Sequence, residues 1–191
     1  YAKAAYDIEY EFPFGWNEFE GIHNRTDFDL SRHQQHSGKK LEYFDQERQA
    51  RYLPYVVETS AGADRTALAV LCDAYHEEQV EGDTRVVLRL HPAIAPIKAA
   101  VFPLVNREGM PEMAKRIYDA LRVRFTAFFD DGGSIGRRYR RQDEAGTPFA
   151  ITVDGQSTQD GTVTIRHRDT LVQDRVDAGR IGDYLQERIA P

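Results

Sequence analysis

The sequence predicts an α+β chain in two regions: a mostly antiparallel sheet within residues 1–92, then an α/β domain with a mixed sheet flanked by helices in residues 93–191. Three observations carry this reading. Up to Leu90, strand-like segments follow one another with few helices, which suits antiparallel pairing. Beyond His91 the apolar pattern alternates β-α-β-α-β, and a right-handed crossover then makes the strands parallel. The charge also changes: residues 1–83 hold 8 Lys+Arg against 17 Asp+Glu, a net of -9, whereas residues 84–191 hold 17 against 14, a net of +3. The total of -6 over 191 residues therefore conceals two electrostatic characters and does not exclude a nucleic-acid partner.

Taken in order, Tyr6–Phe12 and Gly15–His23 alternate as strands joined by a turn at Pro13-Phe14-Gly15. Asn24 or Thr26 is placed to cap a short polar helix that stops near Ser37-Gly38. A strand over Tyr55–Ser60 runs into Ala61-Gly62-Ala63-Asp64 and a helix from about Arg65 to Tyr75. Ala67, Leu68, Val70, Leu71 and Ala74 cover more than one side of that helix, which predicts burial between layers. The polar run His76–Thr84, the strand-like Arg85–Leu90 and the two prolines of His91–Pro96 mark the boundary at 92/93. Downstream, Ile97–Val105 reads as a strand. Met110–Leu121 reads as a helix with Pro111 in its first turn and Met113, Ala114, Ile117 and Leu121 on one face. Strands at Arg124–Phe129 and Phe149–Val153 bracket a helix from Ser134 to about Glu144. A hairpin strand, Thr162–Arg168, precedes a last helix turned inward by Ile181, Leu185 and Ile189.

With 41% hydrophobic residues, ten Phe and ten Tyr, the chain can bury a core and is not of the disordered class. One cysteine, Cys72, makes neither an internal disulfide nor a four-Cys zinc site, so a reducing, cytoplasmic setting is the expectation. No window approaches the roughly 20 apolar residues of a membrane helix, nor is there a signal-peptide core; a soluble protein with no membrane partner is expected. The chain begins with Tyr1, from which residues once upstream are expected to have been removed.

Period-two spacing puts Glu18 and Glu20 on one face of a strand. That pair fits a magnesium, a ligand ammonium or a basic side chain; it equally fits a solvated sheet face. The stretch PYVVETSAGADRTALAVL says more. Glu58 and Ser60 share a strand face, small Ala61, Gly62 and Ala63 allow close approach to the backbone, and Arg65 adds its charge to a helix N-terminus. An ammonium site and a phosphate site thus lie within one strand-to-helix turn; the alternative is an ordinary strand end capped by Asp64.

This stretch resembles motif 3 of the class II aminoacyl-tRNA synthetases. WNEFEGIHNRTDFDLSRHQQHSG is similar to the strand and helix before motif 3 in glycyl-tRNA synthetases of the homodimeric type. The likeness continues through RLHPAIAPIKAAVFPLV, GSIGRRYRRQDEAGTPFAITVD and DGTVTIRHRDT, nearly the whole chain. It implies a fold: the C-terminal part of a class II antiparallel catalytic sheet, followed by an anticodon-binding domain. It also implies roles. Glu58 and Ser60 would hold glycine, with Thr59, Ala61 and Gly62 forming the same small pocket. Gly62, Ala63, Asp64 and Arg65 would form the ATP-binding turn, Arg65 reaching the terminal phosphate. Glu18 and Phe19 would contact ATP, Glu18 also its magnesium, with Glu20 a neighbour. Glu18 and Arg65 are then the catalytic candidates. One departure is Thr59, where the family usually has Pro. Motifs 1 and 2 are not in this sequence and are expected upstream of Tyr1, with the homodimer interface.

His23, His33 and His36 offer a possible metal arrangement, but no zinc spacing accompanies them. No zinc is expected, and His33 and Gly38 fit the family's local pattern. The run Arg137-Arg138-Tyr139-Arg140-Arg141 is the densest positive segment. Arginines beside a tyrosine ring suit unpaired bases and phosphates; pairing with Asp143 and Glu144 on a solvated face is the alternative. The resemblance favours tRNA contact by Arg137, Arg138, Tyr139 and Arg141, with Arg166, His167 and Arg168 extending the surface. The function implied is glycine–tRNA ligation with ATP and Mg2+, tRNA-Gly being the partner; the fragment alone is expected to be inactive. The rivals are a non-catalytic synthetase relative of the DNA polymerase accessory-subunit type and a free tRNA-binding module.

Overall fold

In the computed structural model, which describes residues 2–80 and 82–190, packing divides the chain into a unit ending at Cys72 and a unit starting at Asp73. Glu81, within the expected polar run, lies outside the described residues, as does Tyr1.

The first unit is built on a three-stranded antiparallel sheet. β1 (Ala4–Phe12) and β2 (Gly15–Asn24) form the expected hairpin, and Gly15 adopts φ +106° in its turn, a conformation that glycine takes without steric cost. A short helix, α1 (Phe28–Ser37), ends at Gly38 with φ 67°. Its N-cap is Asp27, not Asn24 or Thr26. Those two build the preceding turn instead: Thr26 N–H donates to Asn24 Oδ1 at 3.1 Å, and Thr26 has φ 57°. A small hairpin, β3 (Tyr43–Asp45) with β4 (Ala50–Tyr52), follows; three-residue strands leave no periodicity to read. β5 (Val57–Ala61) then pairs with β2, giving the order β1-β2-β5. After it comes α2 (Ala63–Ala74). Burial of α2 between layers was expected, yet only Ala69 and Ala74 are buried, while Leu68 and Leu71 are 39% and 45% exposed. No second apolar layer covers this helix among the described residues.

β2 carries a bulge. The register with β1 slips between Ile8 and Glu9, so that Glu20 faces Ile8 and Glu18 faces Glu9, leaving Phe19 as the extra residue. A bulge interrupts the alternation of faces. Glu18 and Glu20 therefore do not share a face: Glu20 pairs on the side of Ile8, and Glu18 on the side of Glu9 and Gly21.

The second unit opens with a hairpin, β6 (Tyr75–Val80) and β7 (Asp83–Leu88). Much of the expected polar linker is thus strand, and it starts directly where α2 ends. The order then follows expectation: β8 (Ala99–Pro103), α3 (Met110–Leu121), β9 (Ala127–Phe129), α4 (Ile135–Glu144) and β10 (Phe149–Val153). A short α5 (Ser157–Asp160), β11 (Thr162–His167), β12 (Gln173–Asp177) and α6 (Ile181–Ile189) complete it. β12 was not expected, because QDRVD is a polar edge strand with only alternate side chains partly covered. The five-stranded sheet runs β12-β11-β10-β8-β9, with β8 parallel to β9 and β10, and β11 antiparallel to β10 and β12. One face packs Val101, Ile151, Val163 and Ile165 against Ala114, Ile117 and Leu121 of α3 and Ile181 and Leu185 of α6. The other packs Ala100, Phe102 and Ala150 against Ile135 and Tyr139 of α4. The result is a mixed sheet with helices on both faces.

A buried charge cluster clamps the hairpin to this sheet. Arg85, fully buried, donates from Nε to Asp143 Oδ2 at 2.8 Å and from Nη2 to the Arg168 carbonyl at 2.6 Å. Arg166 donates to both Asp143 oxygens at 2.9 and 3.0 Å. Arg168 donates to the carbonyls of Gly146 and Leu90, both at 2.7 Å. Buried charges survive only when paired in this way.

Candidate functional site

The register of β2 with β5 assembles the acidic site. His23 faces Glu58, and Gly21 faces Ser60, so these four lie on one side of the sheet. Glu58 is held between His23 Nδ1 at 3.6 Å and Arg25 Nε at 3.4 Å. Gly21 is buried and leaves a gap where a side chain would stand: a Cβ there would lie 3.1 Å from His23 Cε1 and 3.7 Å from Glu18 Oε1. That distance places the Glu18 carboxylate on the same side, as the bulge requires. Arg65, third residue of α2, reaches back and donates from Nη1 to the Glu18 carbonyl. Behind it, Thr66 N–H and Oγ1 both donate to the Gly62 carbonyl, at 2.9 and 3.0 Å, which closes the first turn of the helix on Gly62.

Of the residues expected in this site, Glu18, Glu58, Ser60, Gly62 and Arg65 converge. Thr59 and Ala61 pair with Ile22 and Glu20, on the opposite face, and can offer the site backbone only. Phe19 leans toward Tyr10, ring centroids 6.4 Å apart, also away from it. Ala63 and Asp64 lie exposed in the first turn of α2. Gly21 and the pairing of His23 with Glu58 were not foreseen, because both depend on strand register. The arrangement suits a small cation: the carboxylates of Glu18 and Glu58 and the Ser60 hydroxyl share one face of the sheet, with the Arg65 guanidinium beside Glu18 for an anion. No group of three or more His, Cys, Asp or Glu able to hold a metal occurs among the described residues.

The basic run is sorted by α4. Arg138, expected on the RNA-facing surface, points inward and is 2% exposed. It donates from Nη1 to the Pro103 carbonyl at 2.5 Å and from Nη2 to the Leu104 carbonyl at 3.2 Å, satisfying the end of β8. Tyr139 packs edge-on against Phe102, bonds Thr152 Oγ1 at 2.7 Å and lies under the Arg166 guanidinium at 4.8 Å, so its ring is not free for a base. Arg141 is tied to Asp130 at 2.5 Å and to the Gly132 carbonyl at 2.7 Å. Arg166 and Arg168 are buried in the clamp, and His167 bonds Asp174 and Tyr184; this segment does not extend a cationic surface. The helical period explains the sorting, since 138, 139 and 142 face the sheet while 137, 140, 141 and 144 border an outer hollow with Ser134 and Gly136. Arg137 and Arg140 have no hydrogen bond or ion pair among the described residues and remain available.

The α/β unit, a mixed sheet with helices on both faces, is matched by the anticodon binding domain family over residues 98–188. Over almost the whole chain the similarity is to particular enzymes. Glycine–tRNA ligases of Chlorobaculum tepidum, Caldanaerobacter subterraneus subsp. tengcongensis and Borrelia hermsii are 53%, 56% and 53% identical over 99% of the chain. The chain belongs to the glycine–tRNA ligase family, and it spans 40%, 41% and 43% of the length of these relatives. No helix among the described residues is long and apolar enough to cross a membrane.

Proposed function

We propose that this chain is the part of a glycine–tRNA ligase that binds glycine and ATP and carries the anticodon-binding domain. Residues 1–92 would contribute to the catalytic domain, with their last hairpin clamped onto the anticodon-binding domain of residues 93–191. The observation that carries the reading is the convergence of Glu18, Glu58 and Ser60 around Gly21, with Arg65 lying across the Glu18 backbone. Glycine has an ammonium, a carboxylate and no side chain. Carboxylates around a side-chain-sized space hold the ammonium and exclude larger amino acids by contact.

Arg65, exposed beside Glu18, would take the terminal phosphate of ATP. Magnesium would arrive on the nucleotide, offsetting phosphate charge; Glu18 is a single carboxylate, and such sites commonly use one or two together with substrate phosphates. The glycine carboxylate would attack the α-phosphorus, forming glycyl-adenylate and releasing pyrophosphate, and the terminal ribose hydroxyl of tRNA-Gly would then attack the adenylate's carbonyl carbon, forming the ester and releasing AMP. Orientation and charge stabilisation suffice for this chemistry without a covalent enzyme intermediate. Arg137 and Arg140, with Arg141 beside them, would meet RNA phosphates. A homodimer formed through the remaining length of the enzyme is part of the same reading.

The test is glycine-dependent ATP–pyrophosphate exchange by the full-length enzyme. Glu58→Gln is expected to lower kcat/KM for glycine by about 100-fold or more, as loss of a charged contact to a buried ammonium requires. Arg65→Ala is expected to act chiefly on ATP. Undiminished exchange in both variants would refute the assignment.

A further inference from the structure

We propose that Asp29 is a positioning residue for the glycine site: by holding the Arg25 guanidinium, it keeps Arg25 from capturing Glu58 and leaves that carboxylate open to the substrate ammonium. The inference rests on the glycine-binding reading above and adds to it the residue that governs how strongly the site's own cation competes with the substrate.

The local fold brings the three groups together. Past Asn24, β2 continues alongside the chain that leads into β5 for one more step: Arg25 N–H donates to the Val56 carbonyl at 2.9 Å, and Val56 N–H donates to the Thr26 carbonyl at 2.8 Å. Arg25 stands two residues after His23, so the period of a strand sets both side chains on the face that carries Glu58. Thr26, with φ 57°, then turns the chain into α1. The first turn of that helix returns Asp29 to the Arg25 side chain.

The guanidinium is shared unequally. Asp29 takes its side-on edge, accepting from Nε at 2.5 Å and from Nη2 at 2.9 Å. Glu58 Oε2 lies 3.4 Å from the same Nε, and Glu58 Oε1 lies 3.6 Å from His23 Nδ1, both beyond an ordinary N–H···O bond. Nε carries one hydrogen, and it goes to Asp29. Glu58 therefore feels the charge of Arg25, which counters the Glu18 carboxylate on the same side of the sheet, without drawing that hydrogen to itself. A carboxylate so placed stays ionised and in position, and keeps its lone pairs for an incoming ammonium.

Loss of Asp29 changes this balance. An arginine and a carboxylate pair most strongly through two parallel hydrogen bonds. The freed Nε–Nη2 edge already lies 3.4 Å from Glu58 at Nε, and a rotation of the Arg25 side chain would close it on both oxygens. Glycine would then have to displace the guanidinium before its ammonium could bind. The Asp29–Arg25 pair is itself partly exposed, at 29% and 22% of the side chains, and an i,i+4 pair of that kind contributes little to stability. Its consequence is for the substrate.

The experiment is glycine-dependent ATP–pyrophosphate exchange by the full-length enzyme, with glycine and ATP varied separately. Asp29→Ala is expected to raise KM for glycine about 10-fold, with kcat and KM for ATP within about 2-fold of wild type. Asp29→Asn, equal in size but uncharged, is expected to raise it about 3-fold, and it carries the test if the alanine variant unfolds. The deciding measurement adds Arg25→Leu to either variant. Removing the competitor should bring KM for glycine at least about 3-fold below that of the single Asp29 variant, whereas a purely structural role for Asp29 would make the second loss add to the first. Unchanged KM for glycine in both Asp29 variants, or a double variant no better than the single one, would overturn the proposal while leaving the glycine site in place. Undiminished exchange in Glu58→Gln would refute the glycine site itself, and this proposal with it.

Discussion

The two units solve different problems. From Asp73 onward, both faces of the sheet are covered and its strands β8 and β10 are buried throughout. Up to Cys72, Phe12 and Ala69 are the buried apolar side chains, while Tyr6, Ile8, Trp16, Val57, Leu68 and Leu71 stay exposed. The second unit is stabilised by its own interior, as a binding domain must be. The first displays a site on an uncored sheet, and its convergence of carboxylates depends on strand register and a bulge.

The sharpest way to break this comparison is to remove a charge from each unit. Asp143 stands between Arg85 and Arg166 at 1% exposure. Asp143→Ala strips Arg166 of its ion pair and leaves buried Arg85 with Glu78 alone, and is expected to cost about 3–5 kcal/mol in urea unfolding of the 191-residue chain. Glu58→Ala removes contacts of 3.4 and 3.6 Å from a half-exposed carboxylate and is expected to cost under about 1 kcal/mol. Equal costs would mean that the first unit is as tightly organised as the second.

Deleting apolar volume gives the same contrast on a smaller scale. Leu185→Ala, in the core of α6, is expected to cost about 2–5 kcal/mol. Leu71→Ala, 45% exposed on α2, is expected to cost less than about 1 kcal/mol in this chain. A large effect at Leu71 would reveal a covering contact on that helix.

A third variant sharpens the comparison at the site itself. Gly21→Ala sets a methyl 3.1 Å from His23 Cε1 and toward Glu18. Because the half-buried His23 ring can shift, stability should change by less than about 1 kcal/mol, whereas KM for glycine in the full-length enzyme should rise about 10-fold. A change in stability without a change in KM would place glycine elsewhere.

These contrasts also explain what the sequence disclosed. Local pattern was enough for α3, α4, β10 and the β1–β2 hairpin, where periodicity and turn residues agree. The chemistry of Glu58, Ser60 and Arg65 was legible because the three lie within eight residues of one another. Register was not: nothing in WNEFEG signals that Phe19 is an extra residue, so Glu18 and Glu20 were expected to face the same way, and Gly21 passed unnoticed. Burial of charge was equally hidden. Arg138, Arg166 and Arg168 read as surface cations because basic residues usually are; the carbonyls at the ends of β7, β8 and α4 turn Arg138 and Arg168 inward, and the buried Asp143 carboxylate turns Arg166. The β-α-β-α-β alternation is legible in the sequence, but the strand order β10-β8-β9, and so which loops the sheet brings together, is not.

Acid titration separates the units by the smallest margin. Asp154 receives a bidentate contact from Arg175 at 2.7 and 3.0 Å and accepts from Ser157 N–H at 2.9 Å. Arg175, foremost, with Ser157 holds its carboxyl well below the usual range. Tyr184 and His167 lower Asp174 in the same sense, and Asp130 is lowered by Arg141 and Gly132 against the opposing effect of burial. In the first unit Asp29, hydrogen-bonded by Arg25, is lowered too, but it and the still more exposed Asp174 are surface pairs that contribute little, so the contrast rests on Asp154 and Asp130. A carboxyl depressed in the folded state stabilises above its unfolded pKa of about 4, and that contribution is lost as pH falls. Hydrogen exchange is therefore expected to show the second unit losing protection progressively below about pH 4. Asp154→Asn should make that acid limb shallower while lowering stability at pH 7. If the variant retains the wild-type slope, the acid sensitivity of the second unit arises outside the Asp154–Arg175 pair, at carboxyls such as Asp174 and Asp130.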